Sequence, residues 1–345
     1  MSFDADRYSR QVRFAPIGVH GQERLAAAHV ALVGCGALGG VVALALVRAG
    51  IGRIRIIDRD VPELSNLPRQ VLFDEADVAA GLPKAVAAAS HLRRINAACR
   101  IEPIVADLTP ASAPRLLGDV DVIVDGTDNF EARFLINELA CREGIPWVYG
   151  GAIGAEGRVL AVLPGRSACL RCLVPDPPAP GALPTCDTAG VIGPVALVVG
   201  AVEAAEVMKI IVGTDSPVGN RLLVCDLWDN LWRSVDLAPL ALAGCPTCRE
   251  HDFPWLEGRA GTQATVLCGR DAVQVAPPPG LVGIDLAAFS ERMAAVGRVV
   301  ANRWIVRITV EEGIELAVFA DGRTIVSGTR DEARARGLVA RYVGN

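Results

Sequence analysis

Histidine is scarce in this chain. Four are scattered over 345 residues, nothing groups them with a nucleophile, and none is assigned a role. An excess of positive charge is missing as well. The net charge is −5 and the isoelectric point about 5.5, which argues against nucleic acid or an anionic membrane as the main partner, since neither attracts a mildly acidic surface. A local basic pocket for phosphate stays open. No apolar secretion-signal core stands near the start, where Asp4, Asp6, Arg7, Arg10 and Arg13 interrupt the first twenty residues. One uncharged run, Val30 to Val47, approaches membrane length, but it contains Gly34, Gly36, Gly39 and Gly40. It reads as a strand, a glycine turn and a helix, not as a span. Internal repeats and low-complexity tracts are absent. A cytosolic protein is expected, with its ten cysteines as reduced thiols or metal ligands and not disulfides.

What is present is ample apolar surface, since 51% of the residues are hydrophobic, in a chain long enough for a large domain plus a smaller one. Up to about residue 150 apolar runs alternate with helical patterns. Strands are expected at His29 to Gly34, Arg53 to Asp58, Arg100 to Val105, Asp121 to Gly126 and Trp147 to Gly150. Helices are expected at Leu38 to Ala49, Leu82 to Asn96 and Phe130 to Gly144. Interleaving of this kind means βαβ crossovers and a mainly parallel, Rossmann-like α/β sheet. From Gly157 the pattern changes: Arg158 to Leu163, Leu222 to Asp226 and Leu231 to Leu237 read as strands without crossover helices. Val174 to Gly190 is a Pro/Gly-rich loop, and Val195 to Val212 an apolar helix. The expected division is a first domain over 1–256, split near residue 150 into a nucleotide half and a second half. A small α+β domain follows over 257–345, with a ferredoxin-like order of elements.

Gly34-Cys35-Gly36-Ala37-Leu38-Gly39 lies between a predicted strand and a predicted helix. The first glycine permits the tight turn, the second lets backbone approach phosphate, and the third allows close helix–strand packing. Phosphate then rests at a helix N-terminus, where free amides favour anions. Asp58 ends the next strand, 19 residues past Gly39, where a carboxylate accepts hydrogen bonds from ribose hydroxyls. These features alone do not choose between NAD and ATP. The polar stretches beyond them favour ATP. Asp60, then Ser65-Asn66-Leu67-Pro68-Arg69-Gln70, Lys84, and Asp125-Gly126-Thr127-Asp128-Asn129 follow strand ends, where open α/β sheets bind ligands. Arg69 and Lys84 suit a triphosphate and Asp128 suits Mg2+. An NAD-dependent oxidoreductase would leave all three without work and lacks a catalytic His or Tyr constellation.

Arg7-Tyr8-Ser9-Arg10-Gln11, the Gly34 loop, Ser65 to Gln70, Pro83-Lys84 and Asp125 to Asn129 occur in an order that resembles the bacterial E1-like adenylyltransferases of the HesA/MoeB/ThiF family. The likeness runs from about residue 6 to 250. It implies adenylation of the C-terminal glycine carboxylate of a ubiquitin-like, ThiS/MoaD-type sulfur carrier ending in Gly-Gly. ATP would lie over Gly34, Gly36 and Gly39 with Asp58 on the ribose. Asp60, Asn66, Gln70 and Asn129 would complete the nucleotide site, with Arg69 and Lys84 on phosphates and Asp128 near Mg2+. Arg10 would reach into the neighbouring subunit's site of a homodimer, and a cysteine desulfurase is a candidate sulfur donor. Pro68 departs from the glutamine usual in the family. The same ATP chemistry would also serve E1-like activation of another protein, peptide or small-molecule carboxylate.

Cys169-Leu170-Arg171-Cys172 and Cys245-Pro246-Thr247-Cys248 are two C-x-x-C knuckles with 72 residues between them. Two such turns complete the closed four-thiolate shell of structural zinc, and the resembling family carries the pairs at matching places. Cys186 sits alone in the long loop. It reads as either a structural or a reactive thiol, and the resemblance implies a residue that links covalently to the carrier in some relatives. Cys35, Cys99, Cys141, Cys225 and Cys268 read as small core residues. Leu267 to Asp271 with Val273 to Val275 resembles the segment after the second knuckle in longer thiazole-pathway members. No rhodanese-type loop is present.

Overall fold

The computed structural model describes residues 3–177, 189–213, 219–242, 244–260, 264–266, 271–277 and 283–343. The chain divides into two compact units, residues 1–260 and 261–345, each described by itself.

In the first unit, β1 (His29–Val33), β2 (Arg53–Ile57), β3 (Arg100–Ile104), β4 (Val122–Asp125) and β5 (Trp147–Ile153) pair in parallel. The antiparallel strands β6 (Glu156–Val162), β7 (Arg221–Asp226) and β8 (Leu231–Asp236) extend the same sheet. The order is β3-β2-β1-β4-β5-β6-β7-β8. All five residues of β1 are buried, and their alternation shows why. Val30 and Leu32 join one core with the helices Ala37–Ala49, Lys84–Ile95 and Gly193–Val212. Ala31 and Val33 join the other with Ala113–Leu117 and Phe130–Glu143. A strand covered on both faces needs apolar residues at every position. Gly200 allows the two longest helices of the first core to touch, since a Cβ there would lie 2.7 Å from Val41 Cβ.

The chain builds outward from β1 to β2 and β3, then returns to place β4 on the other side of β1. Strand order therefore reverses between β1 and β4, where the carboxyl ends of an open sheet leave a crevice. Both the glycine loop and the Asp125 to Asn129 segment leave the sheet at that point.

In the second unit, β9 (Ala264–Val266), β10 (Ala272–Val275), β11 (Arg298–Ala301), β12 (Ile305–Glu311), β13 (Ile314–Phe319) and β14 (Thr324–Ser327) form a sheet ordered β11-β12-β13-β14-β10-β9. Every pairing in it is antiparallel. Helices Leu286–Met293 and Glu332–Tyr342 are capped by the Asp285 and Asp331 carboxylates, and Phe289, Ile308, Leu316, Val318 and Val326 form the core. The α+β class holds, but the ferredoxin-like order does not. That order needs a strand after the second helix, whereas here β11 to β14 are a meander and the second helix follows β14. The hairpin Glu312-Gly313, with Gly313 at φ 76°, ties β12 directly to β13, so no crossover helix can intervene. Among the described residues no helix is long and apolar enough to cross a membrane.

Candidate active site

Three backbone segments interlock at the head of β1. Gly34 has φ 84°, a left-handed conformation that favours glycine, and its amide donates to the Ile57 carbonyl at 2.8 Å. A Cβ at Gly39 would lie 1.9 Å from the Gly34 carbonyl oxygen, so the helix can start this close to the strand only with glycine there. Gly36 differs. A Cβ there would meet only Gln70 Nε2, at 3.6 Å. Protein packing does not require glycine at Gly36, which leaves room there for a ligand to approach the backbone.

Asp58 leaves β2 beside this loop. Its carboxylate accepts from the Cys35 amide at 2.7 Å and from the Asp60 amide at 2.7 Å, which locks the loop and leaves each oxygen one further acceptor position for a sugar hydroxyl. Burial pushes its pKa up, with the nearby Lys84 ammonium opposing the rise. Lys84 starts its helix, is 4% exposed, and sits 3.5 Å from the Asp60 carboxylate. A buried ammonium keeps its charge only with such a partner or an anion.

The loop from Glu63 to Gln70 forms one wall. Asn66 is buried and closes the turn Leu64–Asn66 in a reciprocal cap with Glu63. Arg69 stands on the rim, where Nη1 donates to the Ser65 carbonyl at 2.8 Å. Gln70 is buried with Oε1 lacking a hydrogen-bond partner among the described residues. At the end of β4, Asp128 is exposed and accepts no hydrogen bond among the described residues. Asn129 uses its side-chain oxygen to cap the helix Phe130–Glu143, accepting from Ala132 N at 2.9 Å. The exposed, hard-oxygen carboxylate of Asp128 is chemically suited to hold Mg2+.

Arg10 is not brought to this crevice. It is exposed, and its neighbours are held elsewhere: Gln11 donates to the Ala49 carbonyl at 2.9 Å, and the Tyr8 ring packs on Gly50. Ala49 is the last residue of the helix that begins at the glycine loop, about 20 Å away at 1.5 Å per residue.

The four knuckle cysteines converge. Sγ separations are 3.8 Å for Cys169–Cys172, 3.7 Å for Cys169–Cys245 and 3.6 Å for Cys172–Cys248, and all four atoms lie within 4.8 Å of one another. A tetrahedron with metal–sulfur bonds of about 2.3 Å has edges of about 3.8 Å. The donor set therefore fits a closed zinc site that joins the segment after β6 to the segment after β8.

Residues 8–247 match the ThiF family. The chain belongs to that family. Along nearly its whole length this ThiF-family chain is similar to the sulfur carrier protein ThiS adenylyltransferase of Bacillus subtilis, at 41% identity over 340 residues, 98% of this chain and 99% of the relative. It is also similar to the sulfur carrier protein adenylyltransferase of Thermus thermophilus, at 40% identity over 253 residues, 72% of this chain and 92% of the relative. Among solved structures, E. coli MccB with ATP aligns with a TM-score of 0.60 and 25% identity, over 71% of this chain and 74% of that one.

Several residues beside the crevice and the cysteine cluster escape a reading of the sequence. Arg59 follows Asp58 and pairs with Asp107 at 2.8 Å. Arg133 is buried and bound to Asp125 at 3.0 Å. Cys141, expected in the core, is half-buried and lies beside the cysteine cluster, where it and then Cys172 and Cys245 hold the Cys169 pKa down. Cys186 and Cys268 lie outside the described residues, as does the centre of the Pro/Gly-rich loop.

Glu203 is the least expected. It is fully buried in the helix Gly193–Val212, its carboxyl lies against Gly150, and neither oxygen has a hydrogen-bond partner among the described residues. Burial raises its pKa well above the usual carboxylate range, Asp125 adds to this, and Arg133 opposes it. The folded chain thus holds a proton that the unfolded chain releases. Stability is fullest below the unfolded pKa and falls as pH rises toward the folded one. Glu203→Gln removes this loss: its melting temperature exceeds that of the parent by a margin that widens as the pH rises through and above the usual carboxylate range. Thermal melts across that range check this, and a pH-independent difference would contradict it.

Proposed function

We propose that this ThiF-family chain uses ATP to adenylate the C-terminal glycine carboxylate of a ThiS/MoaD-type sulfur carrier, preparing it for sulfur transfer. A carrier carboxylate oxygen bonds to the α-phosphorus, the bond to the β-phosphate bridging oxygen breaks, and its electron pair leaves with pyrophosphate. The work of the protein is positioning and charge neutralisation. Gly34 to Gly39 offer backbone amides at a helix N-terminus, Asp58 takes the ribose, and Lys84 and Arg69 meet the phosphates. Asp128 would hold Mg2+, which when bound would supply charge neutralisation to the phosphates. The observation that carries this reading is the grouping of an open Gly36, a buried Lys84 and an unpaired Asp128 at one end of the sheet, which a hydride-transfer enzyme does not need.

The carrier as substrate is suggested by the Bacillus subtilis relative, whose likeness spans nearly the whole chain. Arg10 is proposed to act in a homodimer, in the partner's crevice, because it lies far from that of its own chain. Zinc, held by Cys169, Cys172, Cys245 and Cys248, has no open position and is structural. A cysteine desulfurase is the proposed class of sulfur donor. The test is ATP–pyrophosphate exchange with carriers ending in Gly-Gly and with the same carriers lacking it. Exchange that needs the intact Gly-Gly supports the reading. Exchange driven equally by short peptides or small carboxylates would move the substrate elsewhere.

A further inference from the structure

Asp128 accepts no hydrogen bond and forms no close ion pair among the described residues, and Arg59 and Arg133 act on it through charge alone, so its position is set by the backbone that carries it. The neighbours on both sides are fastened. Asn129 caps a helix, and Thr127 is bound through three atoms. Its amide and hydroxyl donate to the Asp125 carboxylate at 2.8 and 2.6 Å, and its carbonyl accepts from Arg133 Nη2 at 2.8 Å. Arg133 Nε also donates to Asp125 at 3.0 Å, and Nη2 to the Gly150 carbonyl at 3.2 Å. Its guanidinium lies 5.4 Å from the centre of the Phe130 ring and 5.1 Å from that of Tyr149. One buried fork thus joins the end of β4, the middle of β5 and the loop between Gly126 and Asn129.

From this geometry we infer that Arg133 is a positioning residue: through Thr127 it sets where the Asp128 carboxylate stands, and so how strongly the crevice couples Mg2+ to ATP. The inference deepens the proposed function and rests on its assignment of Asp128. Only a planar guanidinium can bond to Asp125, Thr127 and Gly150 at once. A lysine keeps the charge but cannot hold three acceptors in that arrangement.

The experiment is calorimetric titration of ATP with and without Mg2+, on the full chain and on Arg133→Lys and Thr127→Ala. Thr127→Ala removes only the hydroxyl donor to Asp125 and stands in should the arginine variant fail to fold. In the parent, Mg2+ tightens ATP binding. Arg133→Lys is expected to lose about tenfold of that tightening and Thr127→Ala about threefold, while affinity without Mg2+ stays within about twofold. Exchange at saturating ATP should recover in Arg133→Lys as Mg2+ is raised. A purely structural role would instead lower the amount of active protein and leave the Mg2+ effect intact. An undiminished Mg2+ effect in the folded variants would overturn the inference. A parent that couples Mg2+ to ATP yet shows no carrier-dependent exchange would overturn the proposed function and leave the inference standing.

Discussion

Alanine at Asp128 lowers carrier-dependent ATP–pyrophosphate exchange by about 100- to 1000-fold and leaves the melting temperature nearly unchanged. The two halves of that result have separate causes. Asp128 is exposed and accepts no hydrogen bond among the described residues, so the fold loses no contact with it. The pyrophosphate that leaves in the reaction carries several negative charges into a crevice where Lys84 is already paired with Asp60. Without the Mg2+ that Asp128 is proposed to hold at the end of β4, that charge would build up less well compensated, and each 1.36 kcal/mol lost from the transition state costs about tenfold in rate. Exchange measured with saturating carrier checks the rate and a thermal melt checks the fold. Near-normal exchange would remove Asp128 from the mechanism, and a large drop in melting temperature would make its role structural.

Serine at Cys245 is expected to reduce bound zinc clearly below one per chain and to lower the melting temperature by about 10–20 °C, the equivalent of about 5 kcal/mol. The size of the effect follows from what the cluster joins. Strand β8 is exposed at all six positions and, among the described residues, pairs only with β7, so the chain beyond it is held by the cluster together with Leu237, Phe253 and Leu256, which are buried in the second core. Cys245 brings that segment back to Cys169 across the 3.7 Å sulfur contact, and Glu138 receives the Leu256 amide at 2.9 Å. Without the metal, the segment after β8 keeps the hydrogen bond but loses its strongest tie. Because the cluster is distant in role from the phosphate end of the sheet, ATP binding should survive better than stability. Metal analysis and melts of unchelated protein check the prediction. A variant that melts like the parent with its zinc missing would show that the cluster is dispensable.

Much of the fold was legible because it rests on local patterns. The five parallel strands are short apolar runs between helical segments, and β1 at His29–Val33 is followed directly by the glycine loop. The four-cysteine cluster was legible because two C-x-x-C turns have few other uses. The order of the second unit was not, because apolar alternation marks strands without saying which of them pair, and turns such as Glu312-Gly313 set that order. Arg133 and Glu203 were missed for a different reason. In a helical pattern a charged residue normally faces water, and only the packed sheet shows that these two face inward. Arg59 and Cys141 likewise gain their meaning from neighbours distant in sequence, Asp107 and Cys169. Arg10 illustrates the reverse. Its motif is conspicuous in the chain, yet the fold holds it at the far end of the glycine-loop helix.

The most direct measurement is intact-mass analysis of a Gly-Gly carrier after incubation with this chain, ATP and Mg2+ in the absence of a sulfur source. The account predicts a carrier heavier by one AMP, released when pyrophosphate is added back, and no such product from a carrier without its Gly-Gly end. A carrier of unchanged mass, beside a chain that binds NAD in preference to ATP, would contradict it.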